Sequence, residues 1–147
     1  MNLEVYKKLE GCSAIQVLIY EGRIALAEHN ITLAEQKFEE LEMNFAKDGG
    51  AMFELAGHYA QQCDYEKALH FYEISFELDK ENGKKPLYTD ALWGMAIIYE
   101  IQEKYEEALK CYDKVLKVAD EEFGFNEGAP VDEINVEKQR VRALMEN

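Results

Sequence analysis

Leu55-Ala-Gly-His-Tyr59, followed by Asp64-Tyr65-Glu-Lys-Ala68 and Tyr72, returns 40 residues later as Met95-Ala-Ile-Ile-Tyr99, Lys104-Tyr105-Glu-Glu-Ala108 and Tyr112. Aromatic and small residues keep their order and spacing. Self-similarity at a period of a few tens of residues marks stacked supersecondary units that share a core. A weaker copy lies 34 residues upstream, where Ile31, Ala34 and Phe38 answer Tyr65, Ala68 and Tyr72, while Ala25 answers Tyr59 and Gly22 answers Ala56. The six extra residues between the second and third copies fall around 80–86. Asn82-Gly83 and Pro86 are loop and helix-boundary signals there, so the insertion is expected to lengthen a loop and leave the helices whole.

Each copy reads as two helices. Leu92, Met95, Ala96 and Tyr99 stand at i, i+3, i+4 and i+7, and Tyr105, Ala108, Leu109, Tyr112 and Leu116 form a second stripe of the same period. Ala56 with Ala68, and Ala96 with Ala108, fall where two antiparallel helices of a hairpin cross. Ser13 with Gln16 makes a capping-box pattern, Asn30 and Asp64 offer side-chain oxygens to helix starts, and Gly83 and Gly124 suit helix ends. The two prolines, Pro86 and Pro130, sit between periodic segments, and no alternating strand pattern occurs. Residues 131–147 carry Ile134, Val141, Leu144 and Met145 on one side, which predicts a terminal helix over the last hairpin. Residues 2–10 are expected to do the same at the other end.

The order large apolar, Leu then small, Tyr, later Tyr, Ala and aromatic resembles the tetratricopeptide repeat over residues 15–122. The resemblance implies an all-α, right-handed solenoid of antiparallel helix hairpins with a C-terminal capping helix. One domain, 1–147, would contain repeats near 15–48, 49–82 and 89–122 and a final helix near 131–146. It also implies a protein that binds proteins and is not an enzyme. Glu21 departs from the family's preferred Leu, Lys80 from its closing Pro, and Glu103 from the common Gly of the inter-helix turn.

Composition narrows the partners. Thirty acidic against 16 basic residues leave a net charge of −14, so nucleic acid and anionic membrane would be repelled, whereas basic or neutral polypeptides would not. Cys12, Cys63 and Cys111 are odd in number and unpaired in spacing, which fits a reducing, cytoplasmic setting. The apolar run 14–20 is preceded by Glu4 and Glu10 rather than by a basic segment and is expected to belong to the mature protein; no stretch reaches the length of a membrane span.

Ligand contact in a hairpin solenoid belongs to the first helices, which line its inner surface. Trp93, Ile97 and Ile101 form a second apolar stripe on the third copy's first helix, answered by Phe53 and Gly57 in the second copy and by Ile19, Arg23 and Leu26 in the first. With Glu54, Asp90 and Glu100 at its borders, this stripe describes a groove for a helix or extended segment bearing aliphatic or aromatic anchors and Lys or Arg. The same stripe also suits burial beneath neighbouring helices or pairing of two copies as a homodimer. The resemblance further implies that a carboxylate-binding Lys/Asn/Arg clamp known in one class of the family is missing, since Ile19, Arg23, Glu54, Asp90 and Gly94 occupy its positions.

Catalytic patterns are missing. His58, Cys63, Asp64 and His70, with Glu54 one turn before His58, invite a metal reading, but His58 and His70 fall on different helices and no HExxH or CxxC spacing occurs. No metal and no cofactor is expected. Lys84-Lys85 reads as a solvated basic pair in a turn.

Overall fold

The computed structural model describes residues 13–83 and 85–147, so the expectation for residues 2–10 lies outside the described residues. Among the described residues there are seven helices and no strand: α1 (Ala14–Ala27), α2 (Ile31–Asn44), α3 (Gly49–Gln61), α4 (Tyr65–Glu81), α5 (Lys85–Ile101), α6 (Tyr105–Phe123) and α7 (Ala129–Met145). Helices α1/α2, α3/α4 and α5/α6 pair as hairpins. Helix α4 packs on α5, α6 on α7, and α3 touches α5 directly. The result is an all-α solenoid in which α7 takes the place of a further first helix.

The hairpins close on small residues. Ala34, Ala56, Ala68, Ala96 and Ala108 are all 0% exposed, and in the first hairpin a methyl added at Gly22 would come within 2.6 Å of the Phe38 ring. Around these crossings Leu41, Met52, Leu55 and Val141 are wholly buried. Each such side chain contributes about 1.5–3 kcal/mol of transfer free energy, which exceeds the 0–1 kcal/mol typical of a surface ion pair such as Arg23–Glu54. Apolar burial therefore holds the stack, and surface charge only trims it. Among the buried polar residues, the Ser75 hydroxyl donates to the Gly49 carbonyl oxygen at 2.7 Å and ties the start of α3 to α4.

Helix starts follow the sequence closely. Ser13 and Gln16 form the full capping box, and Asn30 and Asp64 accept from the Leu33 and Lys67 amides. Asp48 does the same for Ala51 at 2.8 Å. Lys104 gives α6 no side-chain cap, but Glu106 and Glu107 occupy its first turn, where the helix dipole favours carboxylates. Gly124 ends α6 in the left-handed conformation, φ +69°.

Two features differ from expectation. The insertion between the second and third copies lengthens helices instead of a loop: α4 and α5 each run to 17 residues, against 14 in α2 and 13 in α3. Lys85 and Pro86 thus begin α5, as suits a proline whose missing N–H is spare in a first helical turn. In α7, Ile134 and Val141 are buried against the last hairpin, but Leu144 and Met145 are 39% and 44% exposed, because the helix outruns the surface it covers.

The three inter-helix turns share one geometry. His29, Cys63 and Glu103, none of them glycine, all have φ +59°. The following amide donates back into the preceding helix each time, from Asn30 to Ala25, from Asp64 to Tyr59 and from Lys104 to Tyr99, at 2.8–2.9 Å. A side chain in that conformation costs about 1 kcal/mol or more, partly offset by glycine's larger entropy loss on folding. Cys63→Gly and Glu103→Gly are each expected to raise the unfolding free energy by roughly 0.5–1 kcal/mol, measured by urea titration. A loss of stability in both would contradict this account of the turn.

Candidate functional site

The predicted groove residues come together on the faces of α1, α3 and α5, with unequal freedom. Ile19 is half-buried against the core. Arg23 and Glu54 are joined at 2.5 Å, which ties α1 to α3. Phe53 meets Tyr72 of its own hairpin edge-on, ring centroids 5.6 Å apart at 63°, and forty residues on Trp93 meets Tyr112 in the same way at 5.5 Å and 85°. Each aromatic therefore gives one edge to the core and stays half-buried. Ile97 and Ile101, by contrast, are 45% and 55% exposed, and Asp90 is exposed at the head of the same stripe.

Glu100 is engaged within the chain. Its carboxylate accepts from the Tyr112 hydroxyl at 2.8 Å and from the Arg140 guanidinium of α7 at 2.6 Å, and Arg140 also donates to Glu137. Burial, then the bond to Glu100, raises the Tyr112 phenol well above its ordinary value. The bonds to Glu137 and Glu100 likewise raise Arg140. Sequence reasoning missed this network because Arg140 lies forty residues beyond Glu100 and no local spacing announces the pair. The terminal helix thus occupies Glu100 beside the stripe, while Ile97 and Ile101 stay exposed.

A second concavity opens on another side of α3, where a cleft of about 380 Å³ lies between α2 and α3. Its lining includes Glu35, Glu39, His58, Tyr59, Asp64 and Lys67. The His58 ring lies flat on Phe38, centroids 3.9 Å apart and planes at 10°, and is 7% exposed. Its Nδ1 has no hydrogen-bond partner among the described residues. Such a buried orphan costs about 1–3 kcal/mol. Burial lowers the imidazole pKa below its ordinary 6.5, against the pull of the Glu35 carboxylate. Lys67 places its ammonium 5.0 Å from the centre of the Tyr59 ring.

The residues considered for a metal are held apart. Glu54 pairs with Arg23, His58 stacks on Phe38, and His70 stands edge-on to Phe71. No three His, Cys, Asp or Glu side chains gather as a metal-binding group among the described residues. Burial pushes the Cys111 thiol up to about 11, so it is not a nucleophile at neutral pH. No helix among the described residues is long and apolar enough to cross a membrane.

Residues 50–123, just over half of the chain, match the tetratricopeptide repeat family. The chain belongs to the tetratricopeptide-repeat family. A solved structure of the same fold is the N-terminal domain of stress-induced protein-1 (STI-1) from C. elegans, with a TM-score of 0.69 at 13% identity over 88% of this chain and 94% of that one. No curated protein matches the sequence. Membership in a tetratricopeptide-repeat family supports protein–protein interaction as the general role. Two departures from the family pattern now have structural accounts. Glu21, where the family prefers Leu, bonds Lys37 across the first hairpin at 2.7 Å. Glu103 takes the left-handed turn without the family's Gly, as His29 and Cys63 do.

Two glycines of the first-helix face differ in the space around them. A methyl at Gly94 would lie 2.7 Å from the Tyr72 ring, whereas one at Gly57 meets nothing closer than the Tyr72 hydroxyl at 4.0 Å. Gly57→Ala is therefore expected to stabilise by up to about 1 kcal/mol through helix propensity. Gly94→Ala is expected to destabilise by about 1 kcal/mol net, since overpacking outweighs that gain. Chemical denaturation of the two variants checks the opposite signs.

His58 supplies a pH test. The unfolded chain takes up a proton near 6.5 that the folded ring resists, so this contribution is complete above that pH and is lost as pH falls through the depressed folded value. The charged groups facing the ring are Glu35 and Glu39 of α2 and Asp64 and Lys67 at the start of α4. Between about pH 7 and about pH 5, His58→Phe is expected to lose less melting temperature than the parent. Parallel losses in the two proteins would remove His58 from the account.

Proposed function

We propose that this tetratricopeptide-repeat chain works as one unit, a non-catalytic adaptor that grips a partner polypeptide along the concave groove formed by α1, α3 and α5. The observation that carries this reading is the exposure of Ile97 and Ile101, 45% and 55%, one turn apart on α5 beside the half-buried Trp93. Large aliphatics in that setting are the anchors that an amphipathic helix or extended segment meets with its own apolar side chains. Glu54 and Asp90 border the same stripe. Glu100 is taken up by Arg140, so the exposed Asp90 at the head of the stripe is what supports a partner with Lys or Arg beside its apolar anchors. The net charge of −14 favours the same partner and disfavours nucleic acid and anionic membrane. A reducing, cytoplasmic setting fits the unpaired cysteines.

Trp93 is the only tryptophan, so its emission reports on the groove directly. Peptides with spaced aliphatic or aromatic anchors and flanking Arg are expected to shift that emission saturably. Ile97→Lys with Ile101→Lys is expected to weaken them at least about tenfold while moving the stability by no more than roughly 0.5 kcal/mol per site, as exposed positions allow. Binding unchanged in that double variant sinks the proposal. Sedimentation of the parent as a dimer that the double variant dissolves would assign the face to self-association instead.

A further inference from the structure

We propose that the cleft between α2 and α3, on the side of α3 away from Phe53 and Gly57, is a binding site for a guanidinium group, that of an arginine side chain. The cleft holds what such a group needs. Glu35, Glu39 and Asp64 bring carboxylates to its lining, Tyr59 offers a ring face, and the buried His58 brings an Nδ1 that no group among the described residues satisfies. In a neutral imidazole one nitrogen accepts, and beside three carboxylates a ligand that donates to it is a cation. A planar, forked guanidinium can meet a carboxylate with two parallel bonds and lie against an aromatic ring in the same pose, which a compact ammonium cannot.

The protein supplies two internal comparisons. Lys67 already rests its ammonium over the Tyr59 ring at 5.0 Å, held loosely by Asp64 at 3.9 Å, so the spot accepts a cation and has a weak resident competitor. The next junction along the stack, between α4 and α5, has Ile98 where His58 stands, Leu69 for Glu35 and Lys104 for Asp64. That junction keeps a ring and a carboxylate, Tyr99 for Tyr59 and Glu73 for Glu39, but lacks the imidazole and the other two acids of the cleft. An apolar residue suffices for the stack, as Ile24 and Ile98 show in this column; His58 answers to something besides packing.

The site is independent of the concave groove, and its test is separable from that of the groove. The probe is N-acetyl-arginine methylamide, titrated into the full chain at neutral pH and followed by backbone amide shifts. Its citrulline counterpart, neutral and of nearly the same shape, is the control. Saturable shifts at Glu35, Tyr59 and Gln62 in about the millimolar range are expected with arginine, and none with citrulline. His58→Phe is expected to weaken the response about tenfold. Lys67→Met is expected to strengthen it several-fold by removing the competitor, and it keeps the test alive should the first variant fold poorly. The Ile97→Lys variant, altered only in the groove, is expected to respond as the parent does. Equal responses to arginine and citrulline, or shifts that map to α5 instead, overturn the assignment, as does unchanged affinity in both cleft variants.

Discussion

Close approach of two backbones at an alanine pair is the constraint on which the structure rests. Where Ala56 meets α4 through Ala68, and Ala96 meets α6 through Ala108, no side chain intervenes and none of the four is exposed. Each hairpin can then fold flat enough for its aromatics, Tyr72 and Tyr112, to fill the flank. The edge-on contacts of Phe53 and Trp93 follow from that placement, and so does the partial exposure of the first-helix face. A larger residue at any of these crossings would spread the hairpin and disturb every later one.

The repeat could be read from sequence because the requirement is local and recurs. A small residue with a tyrosine three or four positions on, as at Ala56–Tyr59, Ala68–Tyr72, Ala96–Tyr99 and Ala108–Tyr112, and a capping Asp or Asn are fixed by helix geometry alone, and Asn30, Asp64 and the Ser13–Gln16 box cap as their types predict. The loop insertion was misread for a reason equally physical. Asn82-Gly83 and Pro86 are turn signals, but proline is also at home in a first helical turn, so α4 and α5 run longer on either side of a short turn. Nor did the residue types of the inter-helix turns announce their left-handed backbone, since cysteine and glutamate carry no such preference and histidine a far weaker one than glycine. Pairing of the flanking helices imposes it.

The candidate site was legible only in part. The stripe Trp93, Ile97, Ile101 is a matter of helical period and could be seen directly, and the structure keeps Ile97 and Ile101 exposed. The fate of Glu100 could not be seen, because it depends on how α7 docks, a long-range choice made by Ile134 and Val141. His58 left a trace in sequence, as the one polar residue in a column otherwise held by Ile24 and Ile98. Its neighbourhood of Cys63, Asp64 and His70 drew attention to metals, whereas the ring stacks on Phe38 and no metal-binding group forms among the described residues.

The bond from Arg140 to Glu100 has a consequence for the size of the array. Helix α7 fills the berth that the opening helix of a fourth hairpin would take, and it is fastened there by an ion pair at its rim as well as by two apolar side chains beneath. Any elongation of the stack past Phe123 must first evict α7, leaving Glu100 and the hydroxyl of Tyr112 to seek another cation. A terminator of this kind closes the stack on that side, after the third of the described hairpins.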